Sequence, residues 1–223
     1  MNRVVLRASL GVLSLLAIAL VATDSSAGAK AKVYKTPQEV FDAVQKAGEK
    51  QDWKALLGCI TADSRDEITG TVVFGALLIK GFGKFATKEE EKANLKKIET
   101  LLDKHGITEE NLAKLKKDDE KADLNDPVVR KKVMKLLASV VKDKEGFILE
   151  FIAAVPPKDK KQGAFEDLVG SNPTLKNVKI DGDSAKGTLV GTRDGMEVTR
   201  TLDFRREGGS WRIDLPMPDP KKK

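Results

Sequence analysis

This chain is poor in histidine and cysteine, which carry much of catalytic and metal chemistry. It contains one histidine, His105, and one cysteine, Cys59. A Ser-His-Asp triad needs a histidine as its base, and a structural zinc site needs several His or Cys ligands. His105 stands at the predicted C-terminus of a helix, where the helix dipole favours a cation, so we interpret it as a capping residue. The sequence therefore predicts no catalytic residue, no metal site and no cofactor.

Arg200 is the residue with the clearest potential to bind a ligand. Alternate residues of a strand share one face, and the apolar face toward the helices would carry Met196, Val198, Arg200, Leu202 and Phe204. A guanidinium on that face needs a carboxylate or an anionic ligand, because burial of an unpaired charge is unfavourable. Three interpretations stay open: Arg200 binds an acidic ligand group in a cavity, it forms an internal ion pair with Asp66 or Glu67, or a β-bulge turns it to solvent.

Trp53 and Trp211 complete the candidate ligand-binding residues. A tryptophan ring can serve as a platform for a ligand, but its large apolar surface also suits a core position. Cys59 belongs to the same apolar stripe as Trp53 and Leu57. Without a second cysteine it cannot form an internal disulfide, and we interpret it as a small buried residue rather than a reactive thiol.

The elements that position these residues begin with helices. Thr36 opens a capping box and Pro37 occupies the first helical position, so a helix is predicted from Pro37. A polar bend near Asp52 separates it from a second helix over 53–60. Apolar stripes with helix-start signals predict further helices near Ser64, Thr87, Thr108, Asp126 and Phe147.

Strands follow the helices. After Pro173 apolar and polar residues alternate, and the alternation is interrupted at Asp181-Gly182, Asp194-Gly195 and Gly208-Gly209. Such dipeptides suit tight hairpin turns, so the pattern predicts a four-stranded antiparallel meander. Helices followed by a run of strands predict an α+β fold, with N-terminal helices and a helical middle packed on a C-terminal sheet of about four strands.

The first 29 residues predict an export signal. Arg3 and Arg7 precede the apolar run Leu10 to Ala22, and the small residues Ala27-Gly28-Ala29 fit a cleavage site. As a helix that run covers roughly 20 Å, against roughly 30 Å for the core of a bilayer. We expect cleavage after Ala29 and a periplasmic or extracellular protein, with a retained anchor as the alternative.

Composition limits the partners. The chain carries a formal net charge of +6, mostly as lysine on predicted helix faces, and its basic segments contain few aromatic residues. This pattern argues against nucleic acid as a partner. Residues 30–220 are predicted to form one domain, followed by a basic tail at 221–223, with no membrane span after signal cleavage. A homodimer is compatible with the sequence.

Two segments of the chain resemble a known superfamily. The first, TPQEVFDAVQKAGEKQDWKALLGCITADSRDEI, has a helix, an Asp-Trp bend and a second helix. The last, VKIDGDSAKGTLVG followed by DGMEVTRTLDFRREGGSWRIDLP, has hairpin strands that end in Trp-x-Ile. They are similar to the opening helices and closing strands of the nuclear-transport-factor-two-like superfamily, which includes SnoaL-like proteins and ketosteroid isomerase. The resemblance implies a cystatin-like α+β cone, a curved sheet wrapped around helices, with a helical insertion at about 87–167.

The resemblance also bears on function. Some members use the cone cavity for ligands, and isomerases of the superfamily use cavity carboxylates with a Tyr or a protonated acid that stabilises an oxyanion. The only tyrosine here, Tyr34, precedes the first helix in what we expect to be a flexible leader. The leading hypothesis is an exported non-catalytic domain that binds a small molecule or an envelope protein partner. The alternatives are a cofactor-independent isomerase or dehydratase with a cavity carboxylate, and a structural or stress-related envelope protein.

Overall fold

The computed structural model describes residues 32–83, 87–115, 123–155, 171–193 and 195–215. In these parts of the chain, seven helices precede a four-stranded antiparallel sheet, which confirms the predicted α+β class. The predicted export signal, its cleavage site and the basic tail lie outside the described residues. The chain divides into two compact units. Residues 32–61 and 171–215 form the helix–sheet unit, and the described part of 62–155 forms the helical unit.

Two helices open the helix–sheet unit. They are α1 (Pro37–Glu49) and α2 (Trp53–Cys59). Thr36 Oγ1 accepts a hydrogen bond from the Glu39 backbone N–H at 3.1 Å, as the capping box predicts. Asp52 caps α2 in the same way, accepting from the Ala55 N–H at 2.9 Å. Both predicted helix starts are confirmed.

The sheet of this unit is a meander. Its strands are β1 (Ser171–Asp181), β2 (Ser184–Arg193), β3 (Met196–Glu207) and β4 (Ser210–Asp214), and they pair in chain order. Glycines occupy the turns: Gly182, Gly195, Gly208 and Gly209 have φ of 57°, 78°, 57° and 79°. Because glycine adopts this left-handed region without a steric penalty, the Asp-Gly and Gly-Gly dipeptides determine the hairpins. The predicted meander is confirmed.

Helix α1 packs on one face of the sheet. Phe41 of α1 and Leu189 of β2 are buried against each other, and Leu175 and Leu202 pack around them. Burial of each large apolar side chain stabilises the fold by about 1.5–3 kcal/mol. This cluster lies between α1 and the sheet.

The outer edge of β4 is covered by two other segments of the same unit. The Trp211 N–H donates to the Tyr34 carbonyl at 2.9 Å, and the Tyr34 N–H donates to Ser210 Oγ at 2.9 Å. Farther along β4, the Thr61 N–H donates to the Ile213 carbonyl at 2.9 Å. The flexible leader expected around Tyr34 is therefore wrong. The segment is held because the edge of β4 has donors and acceptors that need partners.

Five helices make up the described part of the helical unit. They are α3 (Ala62–Phe82), α4 (Glu89–Lys104), α5 (Glu109–Leu115), α6 (Pro127–Ser139) and α7 (Lys144–Ala154). Asp126 caps α6 as predicted, and α4 ends at His105-Gly106 as predicted, with Gly106 at φ 80°. Two predicted starts are wrong: α3 begins before Ser64, and Lys88 rather than Thr87 is the N-cap of α4. Ser64 is the third residue of α3, so it cannot be the N-cap of that helix.

The apolar run Val72 to Ile79 lies within α3. Val72, Val73 and Ala76 are buried, so part of this run lies in the core of the helical unit. In the described parts of the chain no helix, α3 included, has both the length and the apolar character needed to cross a membrane.

Helices α3 and α6 approach each other closely at a glycine. A Cβ at Gly70 of α3 would lie 1.9 Å from the Met134 carbonyl oxygen and 2.7 Å from the Met134 Cα. Both distances are too short for a side-chain atom, so the backbones of α3 and α6 touch at this point. Gly70 is buried there. A Cβ at Gly75, farther along α3, would have no described atom within 4 Å. Of these two glycines, only Gly70 is required by the helix packing.

Ion pairs reinforce the contacts of α3 with its neighbours. Acidic residues near its start are paired with lysines: Asp63 with Lys135 at 2.9 Å, Asp66 with Lys144 at 2.7 Å, and Glu67 with Lys131. Glu67 is 3% exposed. A carboxylate buried to this extent needs a partner, because an uncompensated buried charge is strongly destabilising.

Candidate functional site

The register between β2 and β3 locates Arg200. Arg200 lies opposite Leu189, and directly opposed residues of an antiparallel pair share a face. Leu189 is buried against α1, so Arg200 is on the helix-facing side, as the alternation predicted. Its side chain is exposed rather than buried.

The helix-facing residues of β3 differ in exposure. Phe204 is buried, Leu202 and Val198 are half-buried, Arg200 is exposed and Met196 is 68% exposed. Arg200 is exposed although Leu189, directly opposite on β2, is buried against α1.

The predicted ion pair of Arg200 with Asp66 or Glu67 is wrong, whereas the predicted exposure to solvent is found without the β-bulge that was expected to cause it. Asp66 is bonded to Lys144 and Glu67 to Lys131, and no carboxylate among the described residues forms an ion pair with Arg200. The pairs between β2 and β3 are in regular register along both strands, so no β-bulge turns the side chain. Binding of an acidic group stays a prediction.

Four residues on this side of the sheet form what we call the Arg200 strip: Arg193, Met196, Val198 and Arg200. Met196 lies opposite Arg193, and the three β3 residues alternate along the strand, so all four side chains are on the helix-facing side. Neither arginine forms an ion pair with a described residue. The two arginine positions are about 13 Å apart along the strands. Apolar side chains lie between them.

The two tryptophans lie outside the Arg200 strip. Trp211 is 1% exposed, and the Arg206 guanidinium lies 4.9 Å from the centre of its ring. Arg206 and Arg200 are about 20 Å apart along β3. Trp53 is half-buried at the start of α2, which packs on α1 and β4, and its Nε1 is buried without a hydrogen-bond partner among the described residues. The structure does not bring either ring together with Arg200.

Sequence reasoning missed a buried polar cluster around Tyr34. Its hydroxyl lies 3.3 Å from Cys59 Sγ, and both side chains are buried. The Arg212 guanidinium lies 5.7 Å from the centre of the Tyr34 ring and donates a hydrogen bond to the Gly58 carbonyl. Lys32 Nζ lies 5.6 Å from the same ring. The only signal for this cluster was an aromatic residue among lysines.

Burial sets the acid–base properties of this pair. It raises the pKa of the Tyr34 hydroxyl far above its usual range, with a further contribution from the contact with Cys59. Burial also raises the pKa of the Cys59 thiol, although the Tyr34 hydroxyl and the nearby Arg212 oppose that shift. Both groups are therefore protonated at neutral pH. Because the thiolate is the nucleophilic form, the pair suits packing rather than nucleophilic chemistry.

We expect the protein to lose stability as the pH rises above about 9. The unfolded thiol of Cys59 ionises near its ordinary pKa of 9.0, whereas the folded thiol keeps its proton to a higher pH. In that window the unfolded state has released more protons, so a rise in pH favours unfolding. The free energy of unfolding, measured with urea between pH ~8 and ~10, should fall more steeply for the wild-type chain than for Cys59→Ala. If the free energy of unfolding fell equally steeply with pH in both proteins, burial would not be raising the pKa of Cys59.

His105 belongs to a second polar cluster, in the helical unit. It ends α4 as predicted, and its buried ring lies edge-on to Phe147 with ring centres 5.3 Å apart. Its Nε2 lies 3.4 Å from Glu150 Oε2, and Lys104 Nζ donates to both oxygens of Glu150 at 2.7 and 2.8 Å. The hydrogen bond from Lys104 lowers the pKa of the Glu150 carboxyl. Packing against an aromatic ring and a paired carboxylate gives His105 a structural role.

The carboxylates of the helix–sheet unit lie near its surface. Every one in the described part of that unit is at least partly exposed. Across all described residues, no group of three or more His, Cys, Asp or Glu side chains is placed to hold a metal ion. The described part of the helix–sheet unit therefore offers exposed cationic and apolar side chains for contacts with a partner. It does not offer an enclosed site with an acid and a base.

No protein family model, no curated protein and no solved structure matches this chain. The protein is therefore defined by its α+β fold and by the surfaces described above. The resemblance to the nuclear-transport-factor-two-like superfamily, the single domain over 30–220 and the insertion at about 87–167 stay predictions.

Proposed function

We propose that the protein is an exported, non-catalytic binding domain that recognises an acidic segment of another envelope protein through the Arg200 strip. The proposal is carried by the position of Arg200, which is on the core side of the sheet, exposed, and without an ion pair among the described residues. An exposed guanidinium in this position can form paired hydrogen bonds with a carboxylate that approaches from outside. An acidic group of the bound protein would supply that carboxylate. Export is inferred from the predicted signal at residues 1–29.

The apolar packing between α1 and the sheet supports a binding protein over an enzyme. Phe41, Leu189, Leu175 and Leu202 occupy the space between α1 and the sheet, where a conical fold would have its cavity. A cofactor-independent isomerase needs a carboxylate base inside such a cavity. The described carboxylates of this unit are all at least partly exposed, and the Tyr34 hydroxyl contacts a thiol instead of facing a cavity. No specific observation in the described residues favours the isomerase alternative.

The shape of the strip favours a protein partner over a small molecule. Small-molecule sites are concave and bury most of the ligand surface. The Arg200 strip lies on an open sheet face, with Met196 68% exposed. Two arginine positions about 13 Å apart, separated by apolar residues, suit an extended acidic segment with an apolar centre.

Native mass spectrometry of the protein, purified gently from its own envelope, tests the proposal. We expect a protein-sized added mass that is lost as the salt concentration rises, because exposed ionic contacts are screened by salt. A reproducible small-molecule mass in its place would contradict a protein partner. A bare chain at every salt concentration would contradict the binding function.

Arg200→Met is expected to weaken the affinity for that partner at least about tenfold, because a hydrogen bond to a charged group contributes about 1.5–3 kcal/mol. Methionine keeps an unbranched side chain and the site is exposed, so the fold should be retained. Lys176→Met is the matched control, because it also removes one positive charge. Lys176 lies opposite Thr188, on the other face of the sheet. Isothermal titration calorimetry gives the affinities. An equal loss in both variants would indicate a non-specific charge effect and contradict a role for Arg200.

A further inference from the structure

A groove runs between α4 and α7 in the helical unit. Its walls include Ala93, Lys96, Lys97 and Lys104 of α4, and Ala153 and Ala154 of α7. The α4 residues recur at the spacing of one helix face, and the stretch from first to last is about 16 Å long. The groove has a volume of about 790 Å³ and is open to solvent. It is therefore long and shallow rather than enclosed.

The rim of this groove is positively charged. Lys96 and Lys97 are exposed and form no ion pair with a described residue. Lys104 is already paired, since it donates two hydrogen bonds to Glu150. Glu99 and Asp103 of α4 are not among the residues that line the groove, although Asp103 lies two helical turns from Lys96 on a similar side of the helix, because each residue turns the helix by about 100°. Two cations thus remain on the rim for a ligand.

The floor of the groove is apolar. Leu101 is buried at its base, and the small side chains of Ala153 and Ala154 line the α7 wall. Small residues on a helix surface leave a groove into which the side-chain ridges of another helix can pack. An apolar floor between two packed helices, with cations on one rim, is complementary to a helix that has an apolar face and acidic flanks.

We infer that the groove between α4 and α7 binds an acidic amphipathic helix of a partner protein. The apolar face of that helix packs on Leu101, Ala153 and Ala154, and its carboxylates pair with Lys96 and Lys97. A small molecule in an open groove would leave much of its surface in water, which disfavours it as the ligand. This site belongs to the helical unit and does not depend on the Arg200 strip.

Fluorescence anisotropy with a labelled synthetic peptide tests the inference on the full chain. The probe is an amphipathic helix of Leu, Ala and Glu, and the control peptide has Lys in place of each Glu. We expect the acidic peptide to bind at least about tenfold more tightly than the basic one. The double variant Lys96→Glu, Lys97→Glu should weaken its binding at least about tenfold. Ala153→Trp should weaken it as well, because the indole fills the groove while the charge is unchanged.

The control variant is Lys88→Glu combined with Lys92→Glu, which reverses two charges at the start of α4, at its N-cap and in its first turn, outside the groove. Its affinity for the acidic peptide should stay within about twofold of the wild-type value. A loss as large as that of the groove variant would overturn the inference, and so would unchanged binding in Ala153→Trp. Vesicles of phosphatidylglycerol and phosphatidylcholine serve as competitors. If they displaced the acidic peptide, the lysines would be a membrane-binding patch and the inference would be wrong.

Discussion

Gly70→Ala is expected to destabilise the helical unit by about 2 kcal/mol, although alanine is the better helix former. The new Cβ would lie 1.9 Å from the Met134 carbonyl oxygen, so α6 would have to move away from α3. A flexible side chain could rotate aside, but a backbone carbonyl in a helix cannot. Overpacking of this kind costs at least the upper end of the usual range of about 1–3 kcal/mol, and helix propensity returns only about 1 kcal/mol. Urea unfolding followed by circular dichroism measures the difference.

Gly75→Ala, in the same helix, is the matched control for that measurement. Because no described atom lies within 4 Å of the added Cβ, only the propensity term remains. We expect this variant to be stabilised by up to about 1 kcal/mol. The chemical change is identical in the two variants, so effects of opposite sign isolate the contact between α3 and α6. Equal effects would show that the two backbones do not touch at Gly70.

The two glycines illustrate how far the fold could be predicted from the sequence. The cap at Thr36 and the turn at Gly182 depend on residues only a few positions away, and both were predicted correctly. The role of Gly70 depends on Met134, which is far along the chain. Gly70 and Gly75 sit in the same apolar helix, and no local pattern distinguishes them. Local signals therefore predicted the elements and their order, whereas the close contacts between elements required the structure.

The sequence predicted which side of the sheet Arg200 lies on, but it did not determine whether the Arg200 side chain is exposed. Period-two alternation placed Arg200 on the helix-facing side, and the register with Leu189 agrees. Its exposure depends on which residues of the sheet the helix covers, and alternation does not encode this: Leu189 is covered, whereas Arg200 opposite it is exposed. The partners of Asp66 and Glu67 likewise depend on how α3 packs against its neighbouring helices. A sequence pattern indicates which residues share a face, whereas the covering of that face is a property of the assembled unit.

Tyr34→Ala is expected to destabilise the helix–sheet unit by about 3 kcal/mol. The substitution removes a buried ring that contacts Cys59 and lies beside Arg212. The backbone hydrogen bonds of residue 34 with Trp211 and Ser210 do not need the side chain, so the loss reports the packing of the ring. Tyr34→Phe keeps the ring and removes only the contact of the hydroxyl with Cys59, and we expect it to cost about 1 kcal/mol. Urea unfolding of the two variants and of the wild-type chain separates the two contributions.

Alkylation of Cys59 provides a second measurement on the same variants. In the wild-type chain we expect iodoacetamide to react slowly, because the thiol is buried and its pKa is raised. Removal of the Tyr34 ring opens a path to the thiol, so Tyr34→Ala should react at least about tenfold faster, whereas Tyr34→Phe should stay slow. Mass spectrometry of the modified chain gives the rates. If Tyr34→Ala left both the stability and the alkylation rate unchanged, residues 32–36 would not be part of the folded unit and the flexible leader expected from the sequence would be right after all.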